Sequence, residues 1–209
     1  MEKNLSAQLQ EEKKFHSYDY ESGNPALYVG TYDKYNNGDL SGMWVDMTTF
    51  SDEEDFFDFC RLLHHDEADP EFMFQDYENM PYELYNECLC PDEIEEIIAF
   101  ANETEEHREV MEAYVSNYGW SKQLTWDDVS ERYQGKFDTE EEFAEHIFDE
   151  LYAYEMPDFA RRYFDYEAFA RDLFMGDYTL TDTSSVTTDK VHPYVKHLLK
   201  GRCFIYYRT

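Results

Sequence analysis

The sequence is poor in positive charge. Its 209 residues contain 17 Lys and Arg against 48 Asp and Glu, so the formal net charge at pH 7 is −31. A surface of that sign repels nucleic acid and anionic membranes, and it attracts basic partners over long range. We therefore expect no direct binding of nucleic acid and no membrane association, and we expect the partner to be a basic protein.

Long apolar runs and a cysteine pattern are also lacking. No stretch is apolar for long enough to cross a bilayer. Residues 1–10 lack the apolar core of a secretory signal, which favours a cytoplasmic location. The cysteines are Cys60, Cys88, Cys90 and Cys203. None has Cys-x-x-Cys spacing, so the pattern predicts reduced, buried thiols rather than a zinc or redox site.

Catalytic signatures are missing as well. The chain has no glycine-rich phosphate loop, no Gly-x-Ser-x-Gly and no cysteine with an obvious base. Asp127 and Asp128 are adjacent carboxylates of the kind used in acid–base chemistry, but close pairs are inevitable among 48 acids. Residues 64–67 contain metal-ligating side chains, yet adjacent residues on a helix point apart. We expect no enzyme, no metal and no other cofactor.

Aromatic residues, by contrast, are abundant. The 19 Tyr, 16 Phe and 3 Trp make up 18% of the chain. A disordered acidic chain contains few aromatic residues, because it has no core to build. We therefore expect a folded protein in spite of the charge.

The negative charge is unevenly distributed. The net charge is −2 in residues 1–38, −22 in residues 39–112, −12 in residues 113–189 and +5 in residues 190–209. We call residues 39–112 the acidic segment. Duplex DNA carries one charge per about 1.7 Å of axis. The acidic segment, at −22, therefore matches about 37 Å of duplex, or about eleven base pairs.

Local patterns divide the first third of the chain in two. Residues 1–24 show no sustained periodicity and are predicted to be a flexible N-terminal extension. Residues 25–78 are predicted to form a small sheet plus a helix, with strands over 26–32, 41–47 and 71–78. The helix between the last two strands has an apolar face made of Phe56, Phe59, Cys60 and Leu63.

The rest of the chain also divides in two. Residues 79–119 predict an acidic helical domain, with an apolar stripe of Ile94, Ile97, Ile98 and Ala101. Residues 120–209 predict an α+β domain that contains one amphipathic helix over 158–174 and a loop over 179–188. Residues 192–200 favour a short basic helix, and residues 203–207 favour a last strand.

Three segments resemble the ArdA antirestriction proteins. They are Leu27–Gly38, Asp69–Glu78 and Asp165–Phe174, in the same order as in that family. The likeness covers roughly residues 26–178 and the terminal strand. The third segment matches the antirestriction motif of the family, here Asp165, Tyr166, Glu167, Phe169, Arg171, Asp172, Leu173 and Phe174.

The resemblance implies a fold and a function. The fold is α+β, an elongated chain of three small domains: mixed α/β, a helical bundle, then mixed α/β. The function is that of a homodimeric antirestriction protein that mimics B-form DNA. It occupies the DNA-binding groove of the methyltransferase core of type I restriction–modification enzymes. Because such a mimic presents carboxylates and no bases to read, it can inhibit enzymes of differing recognition sequence.

Carboxylates serve as phosphate surrogates in that family. The corresponding candidates here are Asp52, Glu53, Glu54, Asp55, Asp58, Asp66, Glu67, Asp69, Glu71, Glu83, Glu87, Asp92, Glu93, Glu95, Glu96, Glu103, Glu105, Glu106, Glu109 and Glu112.

The predicted helix over 158–174 is apolar on more than one face. A helix of that kind needs a second packing partner, which suggests dimerisation through Phe164, Tyr166 and Phe169. The basic residues of 190–209 either pair with acids of the same chain or reduce repulsion near the dimer interface. Both roles stay open.

A second function also stays open. An acidic adaptor or mimic that binds another basic DNA-binding protein, such as a nucleoid, polymerase or repressor protein, would present the same charge. Recovery of such a partner from a host lysate, without a restriction subunit, would distinguish it.

Overall fold

The structure is a computed structural model that describes residues 2–182 and 203–207. It has mixed helical and β structure with antiparallel sheets, as predicted. The helices of the described residues are α1 (Glu2–Phe15), α2 (Tyr32–Asn36), α3 (Glu53–Leu63), α4 (Pro91–Ala101), α5 (Glu105–Tyr118), α6 (Trp126–Ser130), α7 (Glu140–Leu151), α8 (Asp158–Arg161) and α9 (Tyr166–Gly176). The strands are β1 (Ala26–Thr31), β2 (Met43–Asp46), β3 (Phe72–Glu78), β4 (Tyr133–Phe137), β5 (Tyr178–Asp182) and β6 (Cys203–Tyr207).

The chain divides into two compact units. Unit 1 contains Met1–Arg108 and Trp120–Thr125, and unit 2 contains Glu109–Gly119 and Trp126–Thr209. Helix α5 begins in unit 1 and continues in unit 2. The three-domain arrangement is not confirmed by this division and stays a prediction.

Unit 1 is built on a three-stranded antiparallel sheet in the order β2-β1-β3. The central strand β1 is the most apolar, and its Leu27 lies opposite Val45 of β2 and Tyr77 of β3. The strands predicted over 26–32 and 41–47 are therefore confirmed, and they pair with each other. The connection is longer than a tight turn, because helix α2 precedes the left-handed Gly38, whose φ is +77°.

Helices α3 and α4 pack against each other in unit 1. The predicted apolar faces are confirmed, since Phe56, Phe59, Cys60 and Leu63 of α3 and Ile94, Ile97, Ile98 and Ala101 of α4 are all buried. Pro91 occupies the first turn of α4, where its missing N–H costs no hydrogen bond. With the apolar faces turned inward, the acidic side chains of both helices lie on the outer faces.

The N-terminal extension differs from the prediction. Residues 1–24 were predicted to be a flexible extension without sustained periodicity, but residues 2–15 form α1, and the next residues join the sheet of unit 1. The Tyr18 N–H donates to the Trp44 carbonyl at 3.2 Å, and the Asp46 N–H donates to the His16 carbonyl at 3.0 Å. These bonds cover the free edge of β2. The His16 ring stacks on Phe50 with centroids 4.2 Å apart.

Unit 2 contains a second antiparallel sheet, in the order β4-β6-β5. Helices α7 and α9 pack together, and Phe143 and Ile147 of α7 form a core with surrounding aromatic and aliphatic side chains. Tyr206 of β6 is fully buried, and its hydroxyl donates to the Val110 carbonyl at 2.6 Å. The predicted last strand is confirmed. The loop predicted over 179–188 is wrong for its first residues, which belong to β5.

The single helix predicted over 158–174 is two helices, α8 and α9. The break occurs because the Asp165 carboxylate accepts a hydrogen bond from the Ala168 N–H at 2.9 Å, which makes Asp165 the N-cap of α9. On a single continuous amphipathic helix, Phe159, Tyr163 and Ala170 would share one side. Phe159 and Tyr163 are exposed, and only Ala170 is buried.

The cysteine prediction is partly wrong. Cys60 is buried, but Cys88 and Cys90 are exposed free thiols, because the buried Leu89 between them turns both outward. Cys203 and the basic helix predicted over 192–200 fall outside the residues whose side chains the structure describes. Among the described helices, none is both long and apolar enough to span a membrane.

Candidate functional site

The acidic segment contains two arginines and no lysine, and Arg61 and Arg108 have different structural roles. Arg61 is on the surface, where its guanidinium pairs with Asp58 at 2.7 Å. Arg108 is buried, and its guanidinium donates to the carbonyls of Ala101 at 2.9 Å and Glu103 at 3.0 Å. Arg108 thus satisfies carbonyls at the end of α4. Arg61 is therefore the one basic side chain that the segment exposes.

None of the twenty candidate phosphate surrogates is buried, and eighteen of them belong to unit 1. Thirteen are exposed: Asp52, Glu54, Asp55, Asp58, Asp66, Asp69, Glu71, Glu83, Glu87, Asp92, Glu95, Glu105 and Glu106. Seven are half-buried: Glu53, Glu67, Glu93, Glu96, Glu103, Glu109 and Glu112.

Helices α3 and α4 bring carboxylates together at the start of α3. The Asp52 carboxylate caps α3 by accepting from the Asp55 N–H at 2.9 Å. The Glu95 carboxylate, from α4, accepts from the Glu53 N–H at 3.3 Å. A hydrogen bond between the two carboxyl groups raises the pKa of Glu95 above its usual value, with burial as the second cause. Negative charge is therefore dense enough here to disfavour ionisation of the Glu95 carboxyl group.

Several candidate carboxylates accept hydrogen bonds from donors in their own unit. In unit 1 the Glu93 carboxylate accepts from the Cys90 N–H at 2.7 Å, and the Glu96 carboxylate accepts from the Trp120 indole N–H at 2.8 Å. In unit 2 the Lys136 ammonium donates to the Glu109 carboxylate at 2.6 Å. These contacts fix local structure, so such carboxylates are less available to a partner.

Lys34 was not among the predicted site residues, but it contacts two of them. Its ammonium lies 2.9 Å from Asp66, 3.5 Å from Glu67 and 3.0 Å from His64 Nδ1. The hydrogen bond from Lys34 lowers the pKa of Asp66. No local signal predicts this cluster, because Lys34 lies about thirty residues away in sequence.

The same cluster corrects the prediction that residues 64–67 point apart. The ligand atoms of His64, Asp66 and Glu67 lie within 4.8 Å of one another, a spacing at which three side chains can hold a metal ion. The Lys34 ammonium already supplies a positive charge to this cluster. The structure therefore offers a local explanation of the cluster without a metal.

Other surface carboxylates make no ion pair or hydrogen bond through their oxygens within the described residues. They are Glu54, Asp69, Glu71, Glu83, Asp92, Glu105 and Glu106. Fixed on α3, α4, α5 and the adjoining loops, these groups are the most available to basic side chains of a partner.

The motif-like segment Asp165–Phe174 has two faces. The structural face contains the capping Asp165 and the side chains that pack in unit 2, namely Tyr166, Phe169, Leu173 and Phe174. The other face contains Glu167, Arg171 and Asp172, which are exposed. The second face is therefore the more accessible of the two to a partner.

The three residues predicted for a dimer interface are half-buried in unit 2. The Phe164 ring lies 4.3 Å from Phe148, 4.9 Å from Tyr166 and 5.5 Å from Phe169, measured between centroids. Strongly exposed aromatic rings lie beside them in sequence: Tyr154 is 79% exposed and Tyr163 is 80% exposed. The structure thus places the exposed apolar surface next to the predicted residues.

Comparison with known families identifies the chain. The model of the antirestriction protein (ArdA) family matches residues 27–187. The chain belongs to the ArdA family. Membership implies an antirestriction function, in agreement with the resemblance found in the sequence. The match to ArdA spans β1 to β5 and leaves out α1 and β6. No curated protein matches the chain significantly.

Proposed function

We propose that this protein mimics the phosphate backbone of B-form DNA and competitively blocks the DNA-binding groove of type I restriction–modification enzymes. The observation that carries the proposal is the surface of the acidic segment. It exposes thirteen candidate carboxylates and a single basic side chain, that of Arg61. Solubility alone does not require so large an excess of one sign, and self-repulsion makes it destabilising.

The mechanism is competition for basic groups. A DNA-binding enzyme presents Lys and Arg side chains that gain free energy by neutralising phosphates and releasing counterions. Carboxylates fixed on helices α3, α4 and α5 engage the same groups without offering bases to read. Because phosphate contacts position DNA but do not specify its sequence, one mimic inhibits enzymes with different recognition sequences.

Dimerisation is part of the proposal. Two chains of formal charge −31 repel each other wherever their surfaces are acidic. Residues 151–164 of unit 2 contain Glu155 and Asp158 against Arg161 and Arg162, so their net charge is zero. Exposed aromatic side chains cluster in the same stretch, including Tyr154, Phe159 and Tyr163. A neutral aromatic surface beside Phe164 is therefore the best-suited interface for a homodimer.

The remaining features of the proposal follow the family. The protein acts without catalysis and without a cofactor, in the cytoplasm where restriction enzymes meet DNA, and its three small domains carry the carboxylates. A homodimer has a formal charge of −62, twice −31. That charge equals the phosphate charge of about 105 Å of duplex.

A restriction assay tests the proposal. Purified protein is mixed with a type I enzyme, and cleavage and methylation of a plasmid are followed as the protein concentration increases. We expect both reactions to stop at low salt and to recover as salt is raised, because ionic contacts are screened. Undiminished cleavage at a large excess of protein and low salt contradicts the proposal. A pull-down that instead recovers a different basic DNA-binding protein favours the acidic adaptor.

A further inference from the structure

Unit 2 contains a groove of about 790 Å³. Of its lining residues, Glu167, Arg171 and Phe174 belong to the motif-like segment, and the others were not among the predicted site residues. Its acidic wall consists of Asp138, Glu140, Glu141 and Glu167. The volume lies within the roughly 300–1,000 Å³ range of ligand-binding pockets. We call it the α7–α9 groove.

Helix periodicity explains how α9 lines the groove. Glu167, Ala170, Arg171, Phe174 and Met175 all line it, at positions i, i+3, i+4, i+7 and i+8. Side chains at that spacing share one face of a helix. The groove is therefore lined by the exposed charged face of the motif-like segment and by part of its packed face.

The floor of the groove is apolar and fixed. Ala170 is buried, and the Phe174 ring packs edge-on against Phe143 with centroids 5.7 Å apart. Leu180 of β5 completes this side, and Met175 is 73% exposed at the rim. A methylene chain placed here would gain contact with a preformed apolar surface.

The walls carry unpartnered negative charge. The carboxylates of Asp138, Glu140, Glu141 and Glu167 accept no hydrogen bond and form no ion pair within the residues that the structure describes. The cap of α7 is made instead by Thr139, whose hydroxyl accepts from the Glu142 N–H at 3.1 Å. With Arg171 as the one basic lining residue, the lining has a net charge of −3.

We propose that the α7–α9 groove binds a lysine or arginine side chain of a basic partner protein. An aliphatic stem on the apolar floor with its cationic head between the carboxylates satisfies both surfaces, as long basic side chains do elsewhere. A DNA phosphate backbone has no apolar floor for such a stem, so this contact goes beyond imitation of phosphates. The inference rests on the proposed function only in taking the natural partner to be a basic DNA-binding protein.

A peptide titration tests the groove without any restriction enzyme. The probe is a fluorescently labelled peptide of alternating leucine and arginine, titrated with the full-length protein. The groove variant combines Glu140→Gln, Glu141→Gln and Glu167→Gln. The matched control combines Glu131→Gln, Glu145→Gln and Glu150→Gln, which are exposed acids of unit 2 outside the groove. Both variants change the net charge equally.

We expect the groove variant to bind the peptide at least tenfold more weakly and the control less than threefold more weakly. Met175→Ser should also weaken binding, because the stem loses apolar contact. Equal weakening by the two triple variants overturns the inference, since net charge then explains binding. A variant in which Lys190, Lys196 and Lys200 are changed to Gln is a further test. If it binds the peptide tenfold more tightly, the chain's own basic segment occupies the groove, and the partner assignment is wrong.

Competition with a type I enzyme separates the two proposals. If the protein displaces DNA from the enzyme and the groove variant does so tenfold less well than the control, both stand. If it displaces DNA and the two variants are equal, only the groove inference fails. If it displaces no DNA but the peptide still binds in the groove, only the proposed function fails.

Discussion

The Glu95 carboxylate of α4 accepts a hydrogen bond from the Glu53 N–H at the start of α3, with the two atoms 3.3 Å apart. The Glu53 carboxyl group also shares a hydrogen bond with Glu95 and raises the pKa of Glu95. An acid with a raised pKa in the folded state destabilises that state above its pKa and ceases to do so as the pH falls through it. The helix pair is thus held together against a local repulsion.

Glu95→Gln should therefore leave the fold intact and slightly stabilise it at pH 7. The amide oxygen still accepts from the Glu53 N–H, and the repulsion is removed. Because Glu95 is exposed, the gain should be below about 0.5 kcal/mol. Urea denaturation at pH 7 and pH 4 measures it, and the gain should vanish at pH 4. A loss of more than about 1 kcal/mol at pH 7 would show that the charge is stabilising.

The two arginines of the acidic segment should differ in their effect on stability. Arg108→Met leaves the Ala101 and Glu103 carbonyls without their donor, so the free energy of unfolding should fall by about 2 kcal/mol. Arg61→Met breaks only an exposed ion pair with Asp58 and should cost about 0.5 kcal/mol or less. Urea denaturation of the two variants gives the comparison. Equal losses would refute a special role for the buried arginine.

Stability should fall as the pH drops below about 6.5. Burial lowers the pKa of both His16 and His64 from the ordinary 6.5, and the Lys34 ammonium lowers that of His64 further. The unfolded chain then binds protons more readily than the folded one, so stability is present above pH 6.5 and is lost below it. Thermal unfolding between pH 7.5 and 5.5, a window chosen to lie above most carboxylate titrations, should show a falling Tm.

His16→Phe is the variant that isolates this effect. The new ring keeps the stacking on Phe50, and Thr49 keeps its hydrogen bond to the Asp46 carbonyl. The pH dependence of the Tm should shrink, whereas His65→Gln, an exposed control, should leave it unchanged. An identical slope in the unmodified protein and both variants would rule out His16 as a cause.

Carboxylates without internal partners should contribute to binding, and carboxylates with internal partners should contribute to stability. Glu54→Gln, Asp92→Asn and Glu105→Gln together remove three carboxylates without partners among the described residues. They should lower the slope of log K against log salt by about three and leave the Tm unchanged. Glu67→Ala, Glu96→Ala and Glu103→Ala together change the charge equally but also remove internal hydrogen bonds. That variant should lower the Tm instead, and the reverse pattern would contradict the assignment.

Much of the fold was predictable because it rests on local periodicity. The stripes headed by Phe56 in α3 and by Ile94 in α4 were confirmed, since one buried face per helix is a short-range pattern. The docking of α1 was not predictable in that way. It depends on His16 and Tyr18 pairing with β2, a contact between residues far apart in sequence that leaves no periodic signal.

The sequence does contain an indication of the break between α8 and α9, but the helical spacing of the surrounding aromatic residues outweighed it. Asp165 is a good N-cap residue, but aromatic residues continued at helical spacing on both sides of it. The family was predictable from three matching segments. The carboxylates with internal partners were not, because the Lys34 and Trp120 contacts connect distant parts of unit 1.

Three of the four acids of the α7–α9 groove, Asp138, Glu140 and Glu141, were not among the predicted site residues. Glu140 and Glu141 belong to a strong helix-start pattern, Thr139 followed by three glutamates, which accounts for acids in a first turn without invoking a partner. The structure adds the apolar floor beside them, which depends on the packing of α9 on α7.

Displacement of DNA from a type I methyltransferase core tests the central claim most directly. A fluorescently labelled duplex is bound to the core, the protein is added, and the anisotropy is followed at several DNA and salt concentrations. We predict complete displacement at low salt. The protein concentration needed should rise in proportion to the DNA concentration, and the affinity should fall steeply with salt. Anisotropy that stays at the bound value with a large excess of protein at low salt would contradict DNA mimicry.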